Sequence, residues 1–136
     1  MELILRVESW KLVLTLGGVY GCPPPRDFAG RFEMTARYEG VHAEPDSWPT
    51  YFWSDIEAVD EGYAACLHRA LILAVAELEN PELSHVHTLN DCGHTTLTRG
   101  AMSDQTISAL RKARDWCAGG AFRVVGYGGA AVILRR

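Results

Sequence analysis

No stretch of about eighteen consecutive apolar residues occurs in the 136-residue chain, so the sequence offers no candidate for a membrane-spanning helix. The opening MELILRVESW is apolar, but it is too short and too charged for a signal peptide, which points to the cytoplasm. No Cys-x-x-Cys pair is present. The four cysteines, Cys22, Cys66, Cys92 and Cys117, are scattered, which removes the zinc-ribbon and dithiol redox patterns, and cytoplasmic thiols stay reduced. A basic surplus is missing as well. Thirteen Lys and Arg stand against 17 Asp and Glu, a net charge of −4, which argues against a protein that grips a nucleic-acid backbone. A local basic patch stays open, because Arg111, Lys112 and Arg114 cluster and the sequence closes on Arg135 and Arg136. Low-complexity tracts, internal repeats and linkers are not seen either.

What remains is ordinary globular composition: 48% hydrophobic, 22% charged, 13 glycines. The length fits one domain over 1–136, able to remove about two-thirds of its surface from water.

The segment LILRVESWKLVLTLGGVYG carries two apolar, β-branched runs separated by Glu8 to Trp10, and reads as a hairpin or one long bent strand. GCPPPRDFAG then breaks regular structure, since three consecutive prolines cannot donate to a ladder. In RFEMTARYE, Phe32, Met34, Ala36 and Tyr38 alternate with Arg31, Glu33, Thr35, Arg37 and Glu39, the period of a half-buried antiparallel strand. Residues 40 to 53 form a connection holding Trp48, Tyr51, Phe52 and Trp53. These aromatics either pin the loop to the core or form partner-binding anchors.

A long helix is expected over about 54 to 79, opened by a capping box of Ser54 and Glu57 and stopped at Asn80-Pro81. Leu71 to Val75 is apolar all round, which predicts cover on more than one side. A second helix begins at the N-cap Ser103, with Met102 and Ile107 placed as a hydrophobic staple, and ends at Gly119-Gly120. The tail AFRVVGYGGAAVILRR predicts a hairpin turning at Gly128-Gly129. The expected fold class is α+β: a mostly antiparallel sheet of about five to seven strands with two helices, packed on one face.

The stretch HVHTLNDCGHTTLTRG, residues 85 to 100, concentrates the chemistry. With residues 85 to 90 as a strand, His85, His87 and Leu89 share one face. A tight reversal at Asp91-Cys92-Gly93 brings His94, Thr96 and Thr98 back beside them, with His87 and His94 as cross-strand or diagonal neighbours. Imidazoles and the Cys92 thiolate could then hold zinc or another divalent metal, with Asp91 as a further ligand or as the group that orients one. A catalytic set of His87, Asp91, Cys92 and His94 is the corresponding enzyme reading. The spacing matches no standard zinc motif, so a metal-free hairpin with Asp-Cys-Gly as turn chemistry is the leading reading of this stretch. Two further patterns lack their second halves. His42-Ala43-Glu44 matches the H-x-E of zinc deaminases, but no P-C-x-x-C follows it. His94-Thr95-Thr96-Leu97 resembles one of the two motifs of the 2H phosphoesterases, with no partner motif. His68, beside Arg69 within the long helix, reads as a surface or half-buried histidine without a catalytic role.

From residue 64 to about 126 the order of elements resembles part of the RNase H-like fold. HRALILAVAELENPELSHVHTLND is similar to that family's helix-to-strand unit, with Asp91 where the family keeps a metal-binding aspartate. The resemblance implies a strand that runs on toward the next helix. It also implies metal-dependent nuclease chemistry, but the family's helical glutamate falls near Leu67 and the first strand offers only Glu8. Two-metal hydrolysis needs several converging carboxylates, so these departures imply that the activity is lost.

The sequence therefore predicts a small cytoplasmic protein that works by binding a protein partner, as an inhibitor, immunity-type or phage-encoded accessory factor, without a cofactor. The Trp48-to-Trp53 and Pro-rich loops supply its anchors. The alternatives are a metal-dependent, nuclease-like hydrolase centred on His85, His87, Asp91, Cys92 and His94, and a structural assembly subunit.

Overall fold

The computed structural model describes residues 1–22, 34–37, 56–80, 85–90, 93–98, 102–128 and 131–136. In chain order these form β1 (Glu2–Arg6), α1 (Val7–Val19), β2 (Met34–Arg37), β3 (Ala58–Val59), α2 (Glu61–Glu79), β4 (His85–Asn90), β5 (Gly93–Thr98), α3 (Asp104–Cys117), β6 (Phe122–Gly128) and β7 (Ala131–Arg135). The class is α+β as expected, but the described strands divide into two antiparallel sheets, ordered β1-β7-β6-β3 and β2-β4-β5. The tail hairpin is present, with Gly128 paired to Ala131.

The largest correction concerns residues 7 to 19, expected as strand and found as α1, so three helices are described rather than two. Trp10, Val13, Leu14 and Gly17 recur three and four apart, and all are buried. Thr15 and Leu16 are buried too, and the Thr15 hydroxyl donates back to the Lys11 carbonyl at 2.8 Å, so that polar group is satisfied inside the helix. A helix enclosed round most of its circumference loses the polar stripe that marks helical period, and its composition then mimics a strand buried on both faces. Gly21, at φ 84°, closes the helix: Cys22 N–H donates to the Gly17 carbonyl at 2.7 Å, the six-to-one bond of a Schellman ending.

Gly17 sits where α1 meets α2. A methyl group placed there would lie 2.8 Å from Leu67 Cδ2 and 3.1 Å from the Cys22 carbonyl oxygen. The helices approach as they do because this position has no side chain.

The long helix begins later than expected. Residues 58 and 59 are extended and pair with β6, so α2 starts at Glu61, and its N-cap is Asp60, whose carboxylate accepts from Tyr63 N–H at 2.7 Å. The Ser54–Glu57 capping box is therefore not the start of this helix. Glu57 instead gives its carbonyl to Val124 N–H at 2.8 Å, and Ser54 lies outside the described residues. Ile72 and Leu73 are 44% and 53% exposed, which corrects the expected all-round cover of that half of α2. Helix α3 is as expected: Ser103 caps it by accepting from Thr106 N–H at 3.1 Å, and Met102 and Ile107 both join the core.

The core lies among the helices and the four-stranded sheet, built on Trp10 and Leu14 of α1, Leu67 and Leu71 of α2, Leu110 of α3 and Leu134 of β7. Phe122 meets Trp10 and Trp116 edge-on, at centroid distances of 6.4 and 5.9 Å. Helix α1 also packs against β2 and β4, joining the second sheet to this core.

Candidate functional site

A cavity of about 450 Å³ opens between the end of β1, the start of α1 and the outer side of α3. Its walls include Ile4, Arg6, Ser9, Asp104, Ser108 and Lys112. Each position follows from local folding. Arg6 is the N-cap of α1 but provides no capping side-chain bond, which leaves the first N–H groups of the helix without a side-chain acceptor. Ser9 is the third helical residue, and Cα–Cβ bonds tilt toward a helix N-terminus, so its hydroxyl leans toward those same groups. Ser9 is only 8% exposed, lines the cavity, and has no hydrogen-bond partner among the described residues. On the opposite wall, α3 presents Lys112 one turn beyond Ser108.

The electrostatics favour an anion there. The basic residues that left a local patch open in the sequence are largely paired: Arg111 bonds Glu79, Arg114 bonds Asp115 at 3.0 Å, and Arg135 bonds Glu2. Arg136 stacks on Trp116 at 4.2 Å and bonds the carbonyls of Trp116 and Gly120. Arg6 and Lys112 have no carboxylate partner among the described residues, and both line the cavity. Among the described residues Asp104 is the one carboxylate on its wall, and it is engaged in an interaction of its own.

The cavity also borders an open sheet edge. Among the described strands β1 pairs only with β7. The Arg136 N–H donates to the Met1 carbonyl at 3.1 Å, and the antiparallel alternation that follows turns the N–H and C=O of Ile4 away from β7. Ile4 is 64% exposed.

The second sheet sets the backbone register of the histidine-rich stretch. After β4 the chain reverses, Asn90 pairs with Gly93, and β5 returns antiparallel. The register sets Leu89 opposite His94, His87 opposite Thr96 and His85 opposite Thr98. Positions 85, 87 and 94 thus fall on one face, with 87 and 94 diagonal to one another. Strand β2 adds Arg37 opposite His87 and Thr35 opposite Leu89 on that face. Asp91 and Cys92 lie outside the described residues, as do the aromatics Trp48, Tyr51, Phe52 and Trp53.

Of the other thiols among the described residues, Cys22 and Cys117 are buried and Cys66 is half-buried. Burial pushes the Cys22 thiol well up from its ordinary value, a hydrogen bond with Cys66 adds to that, and nearby Arg69 pulls weakly the other way. Burial pushes Cys117 up to about 12, against the opposing Arg136 guanidinium. Such thiols are protonated at neutral pH and poor nucleophiles. His68 is half-buried, as expected, and its Nδ1 lies 2.8 Å from the Arg114 carbonyl, a contact that ties α2 to α3.

Sequence reading missed Arg6 and Ser9 as site residues, because their juxtaposition exists only if a helix starts at Val7. Lys112 was noticed only as one of a basic cluster. No helix among the described residues is long and apolar enough to cross a membrane. Comparison with protein-family models, with curated proteins and with solved structures finds no match.

Proposed function

We propose that this is a small cytoplasmic binding protein, of the inhibitor or accessory-factor type, that acts on a protein partner and not as an enzyme. The observation that carries the reading is the open edge of β1, where exposed Ile4 turns its backbone N–H and C=O outward beside a cavity bearing two unpaired cations. An extended segment of a partner can add to such an edge through main-chain hydrogen bonds, with an apolar anchor and flanking charges giving selectivity. Charge complementarity favours an acidic segment. The described residues with shifted titration, Cys22 and Cys117, are shifted away from reactivity, which suits binding better than catalysis. The aromatics Trp48, Tyr51, Phe52 and Trp53, which lie outside the described residues, are proposed as further partner anchors on sequence grounds alone. The test is co-purification from an extract of the cells that make the protein, comparing wild type with Ile4→Asp. Loss of a saturable partner with unchanged melting temperature supports the edge; retention of the partner in the variant overturns it.

The rival reading, a metal-dependent hydrolase on the β4–β5 hairpin, gains from the register, which puts positions 85, 87 and 94 on one face. It predicts stoichiometric zinc or manganese, and loss of both metal and activity in His87→Ala. Placement of Arg37 opposite His87 weighs against a divalent cation at that point. Protein purified without chelator that contains no stoichiometric metal, and melts unchanged with chelator, removes this reading.

A further inference from the structure

We infer that the open edge of β1 is self-complementary, so that a second copy of this chain adds to it antiparallel across a two-fold axis at Ile4. The inference rests on the same exposed edge as the proposed partner docking, and gives that edge an occupant in the purified protein. Its basis is the residue order of β1. Glu2 and Arg6 stand either side of Ile4, with Leu3 and Leu5 between them. A two-fold at Ile4 therefore sets Glu2 opposite Arg6 of the second copy, Ile4 opposite Ile4, and Arg6 opposite Glu2. Parallel pairing would instead oppose Glu2 to Glu2 and Arg6 to Arg6. A slip of two residues would leave one of these charges opposite Ile4.

The backbone agrees with that axis. The bond from Arg136 N–H to the Met1 carbonyl and the register on β7 turn the main-chain groups of Leu3 and Leu5 toward β7, and those of Glu2, Ile4 and Arg6 outward. With the axis at Ile4, each Ile4 N–H donates to the Ile4 carbonyl of the other copy, and each Arg6 N–H to the Glu2 carbonyl. The pairing joins two four-stranded sheets into one and removes both open edges.

Side chains agree as well. Leu3 and Leu5 pack in the core, so Glu2, Ile4 and Arg6 share the opposite, exposed face. Ile4 lies beside Ile133 of β7 there, and the two-fold continues that pair into a row of isoleucines that covers the 64% exposed Ile4. Arg6 has no carboxylate partner among the described residues. Arg135 holds Glu2 through Oε2, which leaves Oε1 for Arg6 of the second copy. Exposed ion pairs contribute little energy, so these select register and direction more than strength. The cavity runs along the edge, with Ile4, Leu5 and Arg6 on one wall and α3 on the other, and opens the space that an incoming strand takes.

The test is sedimentation equilibrium of the purified whole protein, with melting temperature as the check on folding. Wild type is expected to show a monomer–dimer equilibrium below about 1 mM, the range of a small interface. Glu2→Arg and Arg6→Glu should each weaken association about tenfold or more, because the two-fold repeats every change. An equimolar mixture of these two variants should associate as wild type does, since each offers the other the opposite charge. The double variant Glu2→Arg/Arg6→Glu should also dimerise. This restoration separates a broken interface from a broken fold. Wild type that is monomeric at 1 mM overturns the inference, as does a dimer indifferent to both single variants or a mixture that does not associate. A monomer that still captures its partner assigns the edge to partner docking alone. Retention of the partner by Ile4→Asp sinks edge docking and leaves the dimer result untouched, so the two failures are distinguishable.

Discussion

Gly17→Ala sets two opposing effects of known size against each other. In an exposed helix the change from glycine to alanine stabilises by about 1 kcal/mol, through lower backbone entropy in the unfolded chain. At this position the new methyl would stand 2.8 Å from Leu67 Cδ2 and 3.1 Å from the Cys22 carbonyl oxygen. Neither neighbour can give way easily. Leu67 is fully buried, and the Cys22 backbone is held by its 2.7 Å bond to the Gly17 carbonyl. Overpacking costs about 1–3 kcal/mol, and with a contact at 2.8 Å and neither neighbour free to move the upper part of that range, about 2–3 kcal/mol, applies. Set against the gain of about 1 kcal/mol, the net expectation is a loss of about 1–2 kcal/mol. For a chain of 136 residues that lowers Tm by about 3–7 °C. Thermal and urea unfolding of Gly17→Ala, Leu67→Val and the double variant form a cycle. Because valine lacks the contacting Cδ2, the double variant should be more stable than the sum of the singles by about 1 kcal/mol. A Gly17→Ala protein that melts at or above wild type, or a strictly additive cycle, would refute the close approach of α1 and α2 through this residue.

Other outcomes follow from single contacts. Asp60→Ala should cost about 1 kcal/mol as the loss of an N-cap, while Ser54→Ala should leave α2 unaffected; equal effects at both sites would restore the earlier helix start. Gly120→Ala, at φ 97°, should cost about 1 kcal/mol or more by urea unfolding, since alanine strains that conformation. The raised thiol Cys117 favours the folded state fully below the ordinary thiol value near 9, and that contribution is lost as pH rises through about 12; Cys22, also raised by burial, acts in the same direction. Their removal as Cys22→Ala and Cys117→Ala should therefore flatten the decline of the urea midpoint between pH 9 and 12; an unchanged decline would show that other groups cause it.

What the sequence revealed and what it concealed divide along a physical line. Helix α3 was legible because Ile107, Leu110, Ala113 and Cys117 alternate with charged residues and Ser103 stands at its head, so period and cap agree. The β4–β5 hairpin was legible because two short runs, His85 to Leu89 and His94 to Thr98, flank the turn-forming sequence Asp-Cys-Gly. The start of α2 was not. Ile56 and Val59 continue a helical spacing toward Tyr63, but Ala58 and Val59 pair with β6 and Glu57 accepts from Val124 N–H, and that pairing is a tertiary choice no local pattern declares. Asp60 could have been read as the cap, since it precedes the buried Tyr63 by three residues.

The error at residues 7 to 19 hid the site as well as the fold. In a strand, Arg6 and Ser9 stand about 10 Å apart on opposite faces, and no backbone N–H groups converge near either. Wound into α1, the same four residues make one turn, and Arg6 and Ser9 border a common cavity. Lys112 reaches that cavity only because α3 packs beside β1 and α1, a contact set by its own legible stripe. A site assembled from a helix end is invisible to any reading that assigns the helix as strand, whatever motifs it searches for. The histidine-rich hairpin drew attention because its chemistry is written in side-chain identity. The cavity is written in backbone geometry, with an arginine, a serine and a lysine that no spacing rule connects.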